Sequence, residues 1–153
     1  KEFKKILNYY LNLSSKNKVL RHLVKKFKIH YKLSDIYLTL NEIKKMKKMG
    51  MIIGCHSNSH TALSRLKYKN QFSEINLAKE FIEKTIKEKC NHYCHPYGRK
   101  NSYNKNTLSI LKKLNFKYGY SVESRNATKK DFKKKFEFPR FDCNEFISSN
   151  FVL

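Results

Sequence analysis

The sequence predicts an α/β fold in which a parallel sheet is built from repeated strand–helix units. Amphipathic segments with helical periodicity alternate along the chain with short apolar segments. The apolar segments are continuous rather than alternating, which is typical of strands buried in a parallel sheet. The chain has 153 residues, enough for one domain with a core, but an α/β barrel usually needs about 200 residues or more.

The first part of the chain is predicted to be helical. Residues 2–13 and 15–27 have apolar side chains at helical spacing, and the segment 1–37 is taken as a helical N-terminal region. Thr39 and Glu42 form a capping box that starts a helix ending near Met49, just before Gly50. Residues 51–55 are then predicted to be a buried parallel strand.

The rest of the chain, residues 38–153, is predicted to form the α/β domain. Periodic apolar residues predict helices over 70–89 and 104–114. Strands are expected over 92–95, 118–122 and 137–140. The order of these elements is that of strand–helix units around a parallel sheet.

The net charge of +22 raises the hypothesis of a basic nucleic-acid-binding protein. Most of this charge is lysine, whereas arginine is the side chain suited to bidentate contact with phosphates and bases. Lysine also occurs here together with much Asn, Ile, Tyr and Phe, a mixture typical of AT-rich genomes. We therefore expect no specific nucleic-acid partner, and nucleic-acid binding is kept as an alternative.

The cysteines and the first residues of the chain are the features of the sequence that relate to cellular location. Cys55, Cys90, Cys94 and Cys143 do not have the spacing of a zinc framework or a disulfide scaffold. We expect reduced thiols, no disulfide between Cys90 and Cys94, and a cytoplasmic location. No apolar run is long enough to span a membrane, and no signal peptide is recognised. Because the chain starts with lysine rather than methionine, we expect that its true N-terminus has been lost.

The motif His56-Ser-Asn-Ser-His60 directly follows the predicted strand 51–55. In a helical turn this spacing would place both imidazoles on one face, where they can share a divalent metal ion. The carboxyl ends of parallel strands form the active-site face of α/β folds. Two unrelated surface histidines remain the alternative interpretation.

A second motif, Tyr93-Cys-His-Pro96-Tyr97-Gly98, follows the next predicted strand. Pro96 and Gly98 favour a fixed turn, and a backbone amide in such a turn can stabilise an oxyanion. An ordinary loop between strand and helix is the alternative.

Together the motifs resemble the polysaccharide deacetylase family, also called the NodB-homology domain or carbohydrate esterase family four. The matching segments within residues 38–122 are 38–44, 49–60, 93–98 and 111–122. They correspond in order and spacing to the family's helix before the metal motif, its H-[ST]-x-x-H motif, its P-Y-G motif and a later strand. The segment 138–141 resembles the family's Pro-Arg segment.

The resemblance implies a distorted (β/α) barrel, here partial and with extra N-terminal helices. It implies a divalent metal, usually zinc, that activates a water for attack on the acetamide of an N-acetylated polysaccharide or glycan. It makes His56 and His60 metal ligands. Pro96 and Tyr97 become substrate-binding residues, with the Tyr97 backbone amide as the oxyanion donor, and Arg140 becomes a residue that orients a carboxylate.

The sequence departs from the family pattern where the family has its catalytic aspartates. No Asp-Asp pair occurs, and the only aspartates are Asp35, Asp131 and Asp142. No histidine follows His95, and Cys94 stands where many members have arginine. We therefore expect an N-terminally incomplete or degenerate member that is inactive by itself. A catalytically dead glycan-binding module is the alternative within the same fold.

Overall fold

The structure is a computed structural model and describes residues 2–142 and 145. Its helices are α1 (Glu2–Lys5), which continues into a π-helical turn (Ile6–Tyr10), α2 (Leu13–Lys26), α3 (Leu40–Lys48), α4 (Tyr68–Ile86) and α5 (Lys105–Lys113). Its strands are β1 (His92–Cys94) and β2 (Tyr118–Tyr120). Short 3₁₀ turns occur at Leu33–Asp35, Leu63–Arg65 and Lys129–Lys134.

The predicted helices are confirmed to within a few residues, and α2, α3 and α5 each begin at a side-chain cap. The Thr39 hydroxyl accepts the Glu42 amide hydrogen at 3.3 Å, and the Thr39 amide donates to the Glu42 carboxylate at 2.7 Å. The Asn104 side chain likewise caps α5 by accepting the Thr107 amide hydrogen at 3.2 Å. Such a cap satisfies amide groups that have no partner inside the helix.

The sheet is small, open and parallel. β1 pairs with β2 in the register Tyr93↔Gly119. Parallel bridges add Cys55 beside Tyr93 and Phe138 beside Tyr120. Four chain segments therefore lie side by side in the order in which they occur in the sequence, which confirms the predicted parallel arrangement.

The predicted buried strand over 51–55 is wrong for most of its length. Only Cys55 pairs, through its amide to the His92 carbonyl and its carbonyl to the Cys94 amide, both at 2.8 Å. Met51 is 46% exposed and Ile52 is 71% exposed. Continuous apolar residues predict burial only where neighbours cover both faces, and the described residues provide no such cover here. The predicted strand 137–140 is likewise reduced to the single bridge at Phe138.

The core lies between the sheet and the helices α4 and α5. Its fully buried residues include Leu63, Ile75, Tyr93, Ile110 and Leu111. A buried polar pair joins the two helices, since the Thr107 hydroxyl donates to the Gln71 side-chain carbonyl at 2.7 Å. Because both partners are buried, this hydrogen bond fixes how α4 and α5 pack.

The cysteines within the described residues, Cys55, Cys90 and Cys94, are free thiols. Burial raises the pKa of the Cys55 thiol to about 12 and also raises the pKa of Cys90 and Cys94. All three are therefore protonated at neutral pH and poor nucleophiles. Cys143 lies outside the described residues.

We predict that thiol titration under denaturing, non-reducing conditions counts four free cysteines. In the folded protein, Cys55 and Cys90 should react much more slowly because they are buried and protonated. A count of two would show that a disulfide forms. Equal reaction rates in the folded and unfolded protein would show that the core around Cys55 is not closed.

His95 is a fully buried histidine next to the strand ends. Its ring stacks on Tyr103 with centroids 4.0 Å apart, and its Nε2 lies 2.8 Å from the Phe136 carbonyl oxygen. A carbonyl can only accept, so Nε2 carries the hydrogen. Burial lowers the pKa of His95 to about 4. The folded protein therefore holds this imidazole neutral.

We predict that His95 makes the protein less stable in mild acid. Its pKa is lowered on folding from 6.5 to about 4. Between these values the unfolded chain binds the additional proton, so stability falls as the pH falls from about 6.5 to about 4, by about 3 kcal/mol in total. Urea unfolding across this range should show the loss, and His95→Gln should flatten it. An unchanged slope in His95→Gln would contradict the assignment.

Candidate active site

The candidate site forms where neighbouring parallel segments end. His56 follows the bridge at Cys55, the Pro96–Gly98 turn follows β1, and Arg140 follows the bridge at Phe138. Because the segments run in the same direction, their carboxyl ends meet at one edge of the sheet. The structure thereby brings His56, His60, Tyr97 and Arg140 to one cavity, whereas Pro96 is fully buried and does not line it.

The two motif histidines are adjacent, but not through a helical turn. Residues 56–60 form a loop in which Ser57 and His60 have positive φ angles of 60° and 54°. The His60 amide donates to the Ser57 hydroxyl at 3.1 Å, and the two imidazole centroids are 4.8 Å apart. The predicted helical turn is therefore wrong, while the predicted proximity of the two rings is confirmed.

Glu74 of α4 holds this histidine loop. Its carboxylate accepts the Ser59 amide hydrogen at 2.8 Å from a partly buried position. The Ser59 hydroxyl also lies 2.9 Å from the Thr61 hydroxyl. The role of Glu74 is not evident from the sequence, because an acidic residue in an amphipathic helix resembles any solvated surface residue until its partner in the loop is known.

His56 has one ring nitrogen committed to the backbone. Its Nδ1 lies 2.7 Å from the Cys94 carbonyl oxygen, and since that oxygen can only accept, Nδ1 carries the hydrogen. The lone pair of Nε2 is then available to a metal ion. Metal-binding histidines usually donate their other N–H to a carbonyl or carboxylate in this way, which fixes the ring orientation.

His60 is also suited to be a neutral ligand. Desolvation is the main cause that lowers its pKa, and the charges of His56 and Lys16 act in the same direction. A neutral imidazole at neutral pH binds a metal without first losing a proton. The chemistry of both histidines thus fits a divalent metal ion.

The Pro96–Gly98 turn brings Tyr97 against this histidine pair. The Tyr97 ring lies 4.8 Å from the His60 ring, centroid to centroid. Tyr97 and Gly98 both have positive φ angles, 62° and 61°. The Val122 amide donates to the Gly98 carbonyl at 2.8 Å, so the turn is fastened to the segment after β2.

Arg140 enters the site from the last parallel segment. Its side chain lines the same cavity as His56, His60 and Tyr97. Its Nε is buried and has no hydrogen-bond partner among the described residues. A buried N–H group without a hydrogen-bond acceptor costs free energy. This N–H group is therefore positioned to donate to an acceptor such as a carboxylate.

The cavity has a volume of about 730 Å³, which is within the range of ligand-binding clefts. Helix α1 and the π-helical turn form one wall, and the strand ends form the opposite wall. Its lining residues are Lys4, Lys5, Asn8, Tyr10, His56, His60, Tyr97, Arg99, Asn101, Val122, Arg140 and Asp142.

The aspartates do not complete a metal site within the described residues. Asp131 forms an ion pair with Arg125 at 2.7 Å and caps a 3₁₀ turn, and the pKa of Asp131 is lowered mainly by that arginine. Asp35 caps another turn. Asp142 lines the cavity. Residues 2–142 and 145 contain no group of three or more His, Cys, Asp and Glu side chains that could hold a metal ion.

Comparison with known proteins identifies the family. The model for polysaccharide deacetylases matches residues 14–119. The chain belongs to the polysaccharide deacetylase family, as the motifs predicted. The match includes part of the predicted N-terminal segment, and the division at residue 38 remains a prediction. No curated protein matches the sequence significantly.

Solved structures of the same fold are similar to the chain. The deacetylase PplD of Streptococcus pyogenes, in complex with acetate, is 28% identical, with a TM-score of 0.62 over 68% of this chain and 44% of PplD. BC0361, a polysaccharide deacetylase from Bacillus cereus, is 20% identical, with a TM-score of 0.59 and coverage of 73% and 36%. BA0330, a putative polysaccharide deacetylase of Bacillus anthracis, is 19% identical, with a TM-score of 0.58 and coverage of 68% and 32%.

The chain corresponds to only part of each of these solved structures. It spans less than half the length of each of these three proteins. The family acts on acetylated polysaccharides and is generally metal-dependent.

Among the described residues, no helix is sufficiently long and apolar to cross a membrane.

We predict that Gly98→Ala destabilises the site much more than Gly50→Ala. Both glycines have positive φ, so either change costs about 1–2 kcal/mol in backbone strain. A Cβ at Gly98 would also lie 2.5 Å from Val122 Cγ2 and 2.6 Å from the Val122 nitrogen, whereas at Gly50 it meets nothing within 4 Å. The additional overpacking should cost about 1–3 kcal/mol. Urea unfolding of both variants measures the difference, and equal losses would contradict the tight turn.

Proposed function

We propose that the chain is part of a metal-dependent carbohydrate deacetylase that hydrolyses N-acetyl amide bonds of a polysaccharide, and that it forms part of a distorted (β/α) barrel. The observation that supports this most directly is the histidine pair, with His56 oriented through the Cys94 carbonyl. The family match adds the substrate class. The helical segment 1–37 then precedes a partial deacetylase domain over 38–153.

His56 and His60 would hold the metal, with His56 bound through Nε2. The bound metal, which we expect to be zinc, supplies an activated water and polarises the amide carbonyl. Tyr97 would contact the sugar, and its backbone amide would donate to the oxyanion that develops on the acetyl carbonyl. Pro96, predicted as a second substrate-binding residue, is fully buried and does not line the cavity, so its role would be to fix the turn. Arg140 would orient a carboxylate through its buried Nε.

Two imidazoles provide a partial ligand set. Catalytic zinc sites usually have three protein ligands, and a general base commonly contributes about 10²–10⁴-fold to the rate. The family's aspartate pair is absent from the sequence. We therefore propose that this chain alone binds zinc weakly and releases no acetate, and that a segment with the aspartate pair restores both properties.

A catalytically dead glycan-binding module remains a second candidate, because the described residues contain no carboxylate cluster beside the histidines. In that case, adding the aspartate segment would restore neither zinc affinity nor activity. A nucleic-acid-binding role is not favoured by the family match. A cytoplasmic location is proposed from the reduced thiols.

We predict that zinc binding depends on His56. Calorimetry should show weak zinc binding by the wild type and its loss in His56→Ala, because the remaining histidine provides a single nitrogen ligand. His30→Ala is the matched control, since His30 is exposed and does not line the cavity. Its zinc binding should equal that of the wild type.

The same proteins should be tested for acetate release from N-acetylglucosamine oligomers, with and without an added aspartate segment. Tight zinc binding that survives His56→Ala would refute the ligand assignment. Strong acetate release by the 153-residue chain would show that a carboxylate already present, such as Asp142, completes the site.

A further inference from the structure

The cavity above the histidine pair has a strongly positive lining. Four of its lining residues are Lys4, Lys5, Arg99 and Arg140, and its acidic lining residue is Asp142. Lys4 and Lys5 come from α1, Arg99 follows the Pro96–Gly98 turn, and Arg140 follows the last parallel segment. Three separate parts of the chain thus bring cations to one cavity.

These cations are not used by ion pairs within the described residues. The ion pairs there involve Lys47, Lys79 and Arg125, and all lie elsewhere. Lys4, Lys5 and Arg99 are exposed, and Arg140 has a buried Nε without a partner. Lys4, Lys5 and Arg99 are therefore available to a ligand.

The high lysine content of the chain does not by itself explain this lining. A second cationic cavity, at the end of α3, is lined by Lys44, Lys45, Lys47 and Lys48 and contains no arginine. The cavity above the histidines contains Arg99 and Arg140, although arginine is rare in this sequence. A guanidinium can bind a carboxylate through two parallel hydrogen bonds, which an ammonium group cannot do.

The binding of a neutral N-acetylated polymer is not strengthened by these positive charges. Deacetylation converts the amide into an amine, which is protonated at neutral pH, so a neutral polymer would leave a cationic product inside a cationic cavity. A polymer with sugar carboxylates next to its N-acetyl groups would pair with Lys4, Lys5 and Arg99 while its acetamide reaches the histidines. Such a lining also accelerates the association of an anionic ligand.

We propose that the substrate of this site is an anionic N-acetylated glycan, in which sugars bearing carboxylates lie next to N-acetylated sugars. The proposal rests on the proposed function, because it assigns the acetamide to the His56–His60 pair. Lys4, Lys5 and Arg99 are the residues that determine specificity. Arg140 keeps the role proposed above and is not counted among them.

The test compares binding of three oligosaccharides of equal length by calorimetry with the 153-residue chain. A hyaluronan oligomer alternates N-acetylglucosamine with glucuronate, a chitin oligomer is N-acetylated and neutral, and an oligogalacturonate has carboxylates without N-acetyl groups. Hyaluronan should bind about tenfold more tightly than the chitin oligomer at an ionic strength of about 0.01 M, and this advantage should shrink at about 0.15 M.

The variant Lys4→Gln/Lys5→Gln/Arg99→Gln should lose the preference for hyaluronan while it still binds zinc. The matched control, Lys44→Gln/Lys45→Gln/Lys48→Gln, removes the same charge from the second cationic cavity and should keep the preference. Circular dichroism of both variants checks that they fold, and Arg99→Gln alone, which should lose part of the preference, provides a milder change if the triple variant does not.

Three results would overturn the inference. The first is equal or undetectable binding of hyaluronan and the chitin oligomer. The second is an equal loss of the hyaluronan preference in the control variant, which would show that the preference depends on the net charge of the protein. The third is equally tight binding of oligogalacturonate, which would show a polyanion site without recognition of acetyl groups. Zinc titration distinguishes the two proposals. His56-dependent zinc binding without a preference for hyaluronan would contradict only this inference. Loss of zinc binding while the preference for hyaluronan is kept would contradict the proposed function.

Discussion

The site depends on the short backbone pairing between Cys55 and β1. Two hydrogen bonds, from the Cys55 amide to the His92 carbonyl and from the Cys94 amide to the Cys55 carbonyl, set the position of one segment against the other. They place His56 directly beside the end of β1, where the Cys94 carbonyl accepts the hydrogen of its Nδ1. A shift by one residue would turn the His56 side chain to the opposite face of the sheet. The orientation of the histidine is thus a consequence of strand register.

Local signals made much of the fold predictable from the sequence. Capping residues such as Thr39 and Asn104 act on the first turn of their own helix, so helix starts could be predicted without knowledge of the packing. The burial of residues 51–55 could not be predicted in the same way. Apolar character shows that a segment can be buried, while exposure of Ile52 depends on which other segments lie beside it.

The sequence predicted which residues form the site, but only part of how they are arranged in space. His56, His60, Tyr97 and Arg140 converge because the order of parallel segments brings their ends together. The loop conformation between the histidines depends on positive φ angles at Ser57 and His60, which residue spacing does not encode. The contribution of Glu74 was also invisible, because its hydrogen bond spans from α4 to the histidine loop.

The hydrogen bond between Glu74 and Ser59 links the hydrophobic core to the loop that carries His56 and His60. Glu74 precedes Ile75, a fully buried core residue, so a movement of α4 in the core carries the Glu74 carboxylate with it. We expect a substitution that tilts or slides this helix to displace the loop between the two imidazoles. If the histidine pair holds a metal ion as proposed, variation in the core of this domain can change metal affinity without changing a ligand.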